Sequence, residues 1–213
     1  MICLIKKIIL IISLILIYSI LLNHKIKGAF LSKIDLNLDY DEIGVIINSK
    51  SNLFLIKRND ANTLLVYDNI DTKDVTKLFG LFDVNKLNNL ISLSDVDINS
   101  EHKYDIKNTN LQYLNTKLNQ NIIDVNLYDY HLCIYNQGEN IDLNNCTFVY
   151  FNDITEDIKI NDTNKVVFYN KDISEEFKEE LYTKWIDIYT IDDTSYTILK
   201  IKKDNYNIIN IPK

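Results

Sequence analysis

The sequence predicts an α+β protein, in which an N-terminal membrane helix precedes one β-rich domain with about two packed helices. Three observations lead to this prediction. An uncharged apolar run fills residues 8–22. Farther along, short β-branched and aliphatic runs alternate with Asn- and Asp-rich segments, which is the pattern of strands joined by turns. Two other segments repeat apolar residues every three or four positions, the period of an amphipathic helix. The strands can form a single sheet or barrel, or two facing sheets with the helices outside, an αββα sandwich.

The apolar run at residues 8–22 predicts a membrane segment. It is short for a spanning helix, which needs about 20 apolar residues, but residues 2–5 lengthen it and Lys6 and Lys7 can extend to the headgroups. A cleaved signal peptide is the alternative, and a buried core helix a third. We therefore predict an anchor or signal segment at residues 1–30 and a single extracytoplasmic domain at residues 31–213. The predicted localisation is single-pass in the membrane, which makes the membrane one partner.

The first half of the domain has the pattern of a β-meander followed by a helix. Residues 34–39 alternate apolar and polar side chains, as a half-exposed strand does. A helix is expected from an N-cap at Thr72, and residues 87–93 predict a further strand. The polar residues 94–110 predict a loop. The strands of the meander are expected at residues 43–47, 53–57 and 63–67, and the apolar face of the helix at Val75, Leu78, Phe79 and Phe82.

The second half repeats this style and contains the clearest helix, at residues 174–184. Asp172 or Ser174 is expected to cap it, and Glu175 and Glu176 suit its N-terminal dipole. Its apolar stripe predicts a core contact and consists of Ile173, Phe177, Leu181 and Trp185. Strands are expected at residues 122–127, 132–135, 148–151, 166–169, 186–191, 196–201 and 206–211.

The charge of the chain argues against a nucleic-acid partner. The net charge is −7 over 213 residues, and Arg58 is the only arginine. A surface that neutralises phosphates usually carries a basic stripe, so we expect a protein partner instead. Four glycines and one proline indicate an AT-rich genome, in which Asn and Asp take over the work of turn formation.

Two cysteines in the domain are candidates for a disulfide. Cys133 and Cys146 flank a turn-like segment at residues 136–140. In an oxidising compartment they can close a hairpin-like loop, whereas in a reducing one they are small buried residues.

No recognisable catalytic set is present, so we predict no catalytic residue, no metal and no cofactor. His24, His102 and His131 lack metal-ligand spacing. His131 and Cys133 would share one face of a strand, but residues at this spacing rarely exchange a proton, so we expect a core or surface role for both. The four glycines are too few for a phosphate-binding loop or a nucleophile elbow.

Residues 53–97 nevertheless resemble the opening of the metallo-β-lactamase-like domain of bacterial competence proteins. The resemblance rests on the strands at 53–57 and 63–67, on Asp68, on the helix at 74–82 and on the strand that enters Ser92–Asp97. Toward the end of the chain, the strand at 166–169, the helix at 174–184 and the strand at 186–189 resemble the closing strand–helix–strand order of the family. It implies a domain outside the cytoplasmic membrane, beside the channel that imports single-stranded DNA. The family's metal motif is a histidine–aspartate cluster, and its place here holds Ser92, Ser94, Asp95 and Asp97. Without histidine, neither the zinc pair nor nuclease activity is expected.

Three hypotheses about function follow. The first is a membrane-tethered, non-catalytic interaction domain with a protein partner. The second is a degenerate metallo-β-lactamase-like domain linked to DNA uptake. The third is a secreted surface protein of an AT-rich parasite or virus. Two facing sheets with the helices outside would favour the second hypothesis, and a single sheet or barrel would exclude it.

Overall fold

The computed structural model shows an α+β protein made mostly of strands. In its described residues, fourteen strands form two seven-stranded sheets, accompanied by two helices. The predictions of a β-rich domain and of about two helices are therefore confirmed at this level. The described residues are 33–48, 52–67, 70–93, 96–105, 111–113, 116–118, 122–135, 145–151, 166–169, 174–191 and 194–213.

The predicted membrane-spanning helix needs correction. Within the described ranges, no helix is both long and apolar enough to cross a membrane. The two helices there have 10 and 9 residues, whereas a bilayer core about 30 Å thick needs about 20. On this finding the transmembrane and single-pass membrane predictions are wrong. Residues 1–30, for which an anchor or signal segment was expected, lie outside the described residues.

The first sheet, which we call sheet A, joins an antiparallel meander to parallel strands. Strands β1, β2 and β3 pair antiparallel, and β3, β4 and β5 pair in parallel. The last two strands of the chain return to this sheet beside β1, which gives the order β14-β13-β1-β2-β3-β4-β5. The bounds are β1 Ile43–Asn48, β2 Leu53–Lys57, β3 Asn62–Val66, β4 Asn89–Ser92, β5 His102–Asp105, β13 Ser195–Ile201 and β14 Tyr206–Pro212.

The second sheet, sheet B, repeats this change from antiparallel to parallel pairing. Strands β6 to β9 pair antiparallel and β9 to β12 pair in parallel, so the order is β12-β11-β10-β9-β8-β7-β6. The bounds are β6 Leu111–Tyr113, β7 Thr116–Leu118, β8 Ile122–Leu127, β9 Tyr130–Tyr135, β10 Phe148–Phe151, β11 Val166–Tyr169 and β12 Asp187–Thr190.

Three apolar clusters divide the molecule into layers. The central cluster takes alternate residues from both sheets, such as Val45 and Phe54 from sheet A and Ile134 and Phe148 from sheet B. The other face of sheet A packs under helix α1, Thr72–Leu81, and the other face of sheet B packs under helix α2, Glu175–Thr183. The two sheets therefore face each other with one helix outside each, because central strands such as β1, β4, β10 and β11 have apolar residues to bury on both faces.

The segment that precedes β1 covers the outer face of sheet A without joining it. Residues 34–39 alternate in burial as predicted, but they form no strand, because Asn37 adopts a left-handed φ of 44° and donates its backbone N–H to Asp35. A Cβ on Gly44 would lie 3.2 Å from Leu38 Cδ1, so glycine lets this segment approach β1 closely.

Other predicted elements differ from the structure in position. The polar segment 94–110, expected to be a loop, contributes β5, which pairs in parallel with β4. The N-cap of α1 is Asp71 rather than Thr72. Ser174 caps α2, and Phe177 and Leu181 are buried, but Trp185 is 80% exposed and does not continue the core stripe.

Candidate functional site

The strands that carry the family resemblance lie side by side. Strands β3 and β4 are parallel neighbours, with Val66 opposite Ser92 and the Leu93 N–H donating to the Val66 carbonyl at 3.1 Å. Their carboxyl ends therefore meet at one edge of sheet A, where open parallel sheets commonly bind ligands. Ser92 is buried at this edge, and Asp97 is exposed. The other positions of the compared motif, Asp68, Ser94 and Asp95, lie outside the described residues.

Two tyrosines beneath this edge tie the sheets together. The Tyr67 hydroxyl donates to the Ile134 carbonyl at 3.1 Å, and the Tyr150 hydroxyl donates to Asn52 Oδ1 at 3.3 Å. Phe54 lies between the two rings, with its centroid 4.7 Å from that of Tyr150. Burial raises the pKa of Tyr67 well above its ordinary value, so this phenol stays neutral and acts as a hydrogen-bond donor.

His131 does not form the pair with Cys133 that alternation along a strand allows. Its Nδ1 lies 2.9 Å from Asp124 Oδ1 on the neighbouring strand β8, on the outer face of sheet B. The structure instead bonds Cys133 to Cys146, with their Cα atoms 5.7 Å apart. A disulfide sulfur cannot act as a thiolate, so His131 has no nucleophile there. Its partner Asp124 can hold the ring in one tautomer.

An open cleft of about 730 Å³ lies where the turn before β1 meets the β8–β9 hairpin. Arg58 lines it and donates to the Asn126 carbonyl at 3.3 Å. Tyr40 is 92% exposed and Tyr128, at a left-handed φ of 62°, is 42% exposed at its rim. The cleft offers aromatic faces and hydrogen-bonding groups, and the carboxylates of Glu42 and Asp60 also line it. Sequence reasoning missed it, because its sides come from segments that are 68 residues apart.

No set of three or more His, Cys, Asp or Glu side chains able to hold a metal occurs within the described ranges.

Helix α2 presents exposed aromatic side chains at its end. Tyr182 is 61% exposed and Trp185 80% exposed. A glycine commonly ends a helix, and none follows α2. The absence of this glycine is the sequence feature that could have indicated the exposed aromatic pair.

No family model, curated protein or solved structure matches this chain. The resemblance to the competence-protein domain therefore stays a prediction.

Proposed function

We propose that this chain is a non-catalytic protein-interaction domain, built on a metallo-β-lactamase-like αββα sandwich whose metal motif has lost its histidines. The layered arrangement supports this proposal, because two facing sheets with outer helices are what the degenerate-enzyme hypothesis requires. A single sheet or a barrel would have been incompatible with it.

One observation carries the proposal: the parallel pairing of β3 and β4 puts the ends of the two compared strands side by side. In the family that the sequence resembles, this is where the histidine–aspartate motif follows. Here the segment from Ser92 to Asp97 supplies serine and aspartate. Zinc sites are usually built from Cys, His and carboxylate ligands, and a serine hydroxyl is a poor substitute for imidazole.

The surface chemistry favours a protein partner over DNA. The net charge of −7 and the single arginine argue against a surface that neutralises phosphates. The exposed aromatic side chains at Tyr182 and Trp185 are, by contrast, the residue types that dominate the binding energy of protein interfaces.

Zinc content tests the loss of the metal site. The purified full chain is incubated with excess Zn²⁺, dialysed and analysed by inductively coupled plasma mass spectrometry. We expect well below one zinc per chain. His131→Ala is the matched control, because it removes the one His–carboxylate pair of the described residues without touching the β3–β4 edge.

Stoichiometric zinc that persists in His131→Ala and disappears in Asp97→Asn would contradict the proposal. A parallel assay follows cleavage of single-stranded DNA in the presence of Zn²⁺ or Mn²⁺. Cleavage by the wild-type chain that Asp97→Asn abolishes would also contradict it.

A further inference from the structure

Two exposed aromatic side chains lie at the end of helix α2. Tyr182 is 61% exposed in its last turn, and Trp185 is 80% exposed two residues beyond its end. The preceding apolar residues of the helix, Phe177 and Leu181, are buried under it. The aromatic pair therefore adds nothing to the core of this layer.

The backbone at Trp185 is strained. Its φ is 59°, the left-handed region that bulky residues rarely adopt. This conformation closes the helix: the Trp185 N–H donates to the Tyr182 carbonyl at 3.0 Å and the Ile186 N–H to the Leu181 carbonyl at 3.2 Å. Glycine usually occupies this position, since a residue with a Cβ costs about 1–2 kcal/mol there.

Trp185 thus combines a strained backbone with a side chain that packs on little. The backbone conformation brings Ile186 into the core at 1% exposure, which glycine at position 185 would achieve as well. Backbone strain of this kind is often found at binding and active sites. An exposed indole next to an exposed phenol fits a binding contact, because Trp and Tyr are enriched among interface hot spots.

The edge of sheet B begins beside this pair. Strand β12 starts at Asp187 and is the last strand of its sheet, and within the described part of the chain it pairs only with β11. Asp187 and Thr190 are exposed. An edge strand offers unpaired backbone groups to which an extended segment can add.

The charges around the aromatic pair are mainly acidic. Residues 174–190 contain five acidic and two basic side chains. Lys178 pairs with Glu175 and Lys184 with Glu180. The other acids, Glu176, Glu179 and Asp187, have no ion pair within the described residues and are exposed.

We propose that Tyr182, Trp185 and the β12 edge bind an extended, basic segment of a partner protein. This inference rests on the proposed interaction function and names its surface. Aromatic contacts supply affinity, the strand edge supplies backbone hydrogen bonds, and the acidic side chains select Lys or Arg. A second copy of this chain is a poor occupant, because it would place the same acids against each other.

Tryptophan fluorescence tests the proposal directly, because Trp185 is the only tryptophan in the chain. The full chain is titrated with an acetylated, amidated peptide of four Lys-Val repeats. We expect a saturable blue shift of the emission as the indole leaves water. A peptide of four Glu-Val repeats is the charge control, and we expect at least about tenfold weaker binding from it.

Variants locate the binding surface. Tyr182→Ala and the double charge reversal Glu176→Lys/Glu179→Lys are each expected to weaken binding about tenfold, the loss of a modest hot-spot contact. Tyr40→Ala is the control, because it removes an even more exposed aromatic side chain in another part of the molecule and should leave the affinity within about twofold. Trp185→Gly, followed with a fluorescein-labelled peptide, should lose binding while the chain stays folded.

The absence of a saturable shift would overturn the proposal, as would equal binding of the Glu-Val peptide or an equal loss in Tyr40→Ala. The zinc experiment separates this failure from that of the proposed function. If the chain holds no zinc and binds neither peptide, the binding surface proposed here is wrong, but the proposed non-catalytic function is not contradicted. A chain that holds stoichiometric zinc yet binds the Lys-Val peptide keeps this surface and loses the non-catalytic function.

Discussion

Two strand–helix–strand units, one in each sheet, are built from the same local parts but end differently. In the first, α1 connects β3 to β4, and in the second, α2 connects β11 to β12. Both pairs of strands are parallel, and a side-chain oxygen caps each helix, from Asp71 in one and Ser174 in the other. The first unit lies inside its sheet, beside β5, whereas the second forms the sheet edge. The same local sequence features therefore produce a unit in the interior of a sheet or a unit at its edge, depending on whether another strand pairs beside it.

The difference is sharpest after the last helical turn. Both helices end in a left-handed residue that carries a side chain, Asp83 after α1 and Trp185 after α2. Other parts of the chain hold the end of α1: Lys57 Nζ donates to the Phe82 carbonyl at 2.6 Å, the Ile34 N–H to the Leu81 carbonyl at 2.7 Å, and Lys33 pairs with Asp83. The hydrogen bonds described at the end of α2 are all local. Within the part of the chain that the structure describes, Tyr182 and Trp185 are exposed at this end.

The largest effects are expected from the buried leucine of each helix. Leu78 and Leu181 are both 0% exposed. Leu→Ala at a buried site costs about 2–5 kcal/mol. We expect Leu78→Ala near the upper end of that range and Leu181→Ala near the lower end, because a site near a sheet edge collapses more easily around a cavity. Urea unfolding of the two variants measures this, with the exposed Lys77→Ala and Glu179→Ala as controls. Equal losses would remove the predicted contrast.

A disulfide packs in the layer under α2, next to the second unit. Cys133 and Cys146 lie 13 residues apart and pack in the cluster under α2. In the chain-entropy model a loop of about this length is worth about 3 kcal/mol. Cys133→Ala/Cys146→Ala should lower the free energy of unfolding by about this amount in oxidising buffer. Dithiothreitol should destabilise the wild type but leave the double variant unchanged, and a wild type that is insensitive to the reductant would contradict the bond.

Most strands could be predicted from the sequence because they are short runs of apolar residues. Such runs are expected where a strand lies between two layers and is buried on both faces. Strand β2 coincides with its predicted bounds. Strand β5 could not be predicted, because His102–Asp105 has no apolar alternation and is held by its parallel pairing with β4. The segment 34–39 has the alternation of a strand but lies across a sheet. The apolar–polar periodicity of a segment therefore predicts which of its side chains are buried more directly than it predicts whether the segment pairs as a strand.

The candidate sites were harder to predict than the strands. The Arg58 cleft depends on a contact between distant segments, which no local pattern encodes. Trp185 continues the four-residue spacing of the α2 stripe, so its exposure depends on where the helix ends. That end is usually marked by glycine, which this chain rarely uses. Because glycine is scarce, Trp185 takes the left-handed position at which glycine usually ends a helix.

Replacement of the two left-handed residues by glycine should give effects of different size. Trp185→Gly should stabilise the chain by about 1 kcal/mol, because it removes the left-handed strain and loses little packing. Asp83→Gly should change stability less, since aspartate tolerates this region better and the pair with Lys33 is lost. Thermal unfolding compares the two variants. A destabilised Trp185→Gly would show that the indole contributes to the fold and would weaken the case for a binding role.

The smallest expected effect is an acid-dependent difference between the two helix ends. The hydrogen bond from Lys33 and its positive charge hold the pKa of Asp83 below its ordinary value. A carboxylate with a lowered pKa in the folded state stabilises it above the unfolded pKa, and this contribution is lost as the pH falls through the folded value. Between neutral pH and about pH 3, Asp83→Asn should therefore lose less stability than the wild type. Trp185→Gly should follow the wild-type slope, because no titrating group is removed. Asp39 and Glu101 also have lowered pKa values, so part of the acid dependence remains in every variant. Urea midpoints of the wild type and the variants, measured at both pH values, test this expectation. An Asp83→Asn chain that loses as much stability in acid as the wild type would mean that the Lys33–Asp83 pair does not stabilise the end of α1.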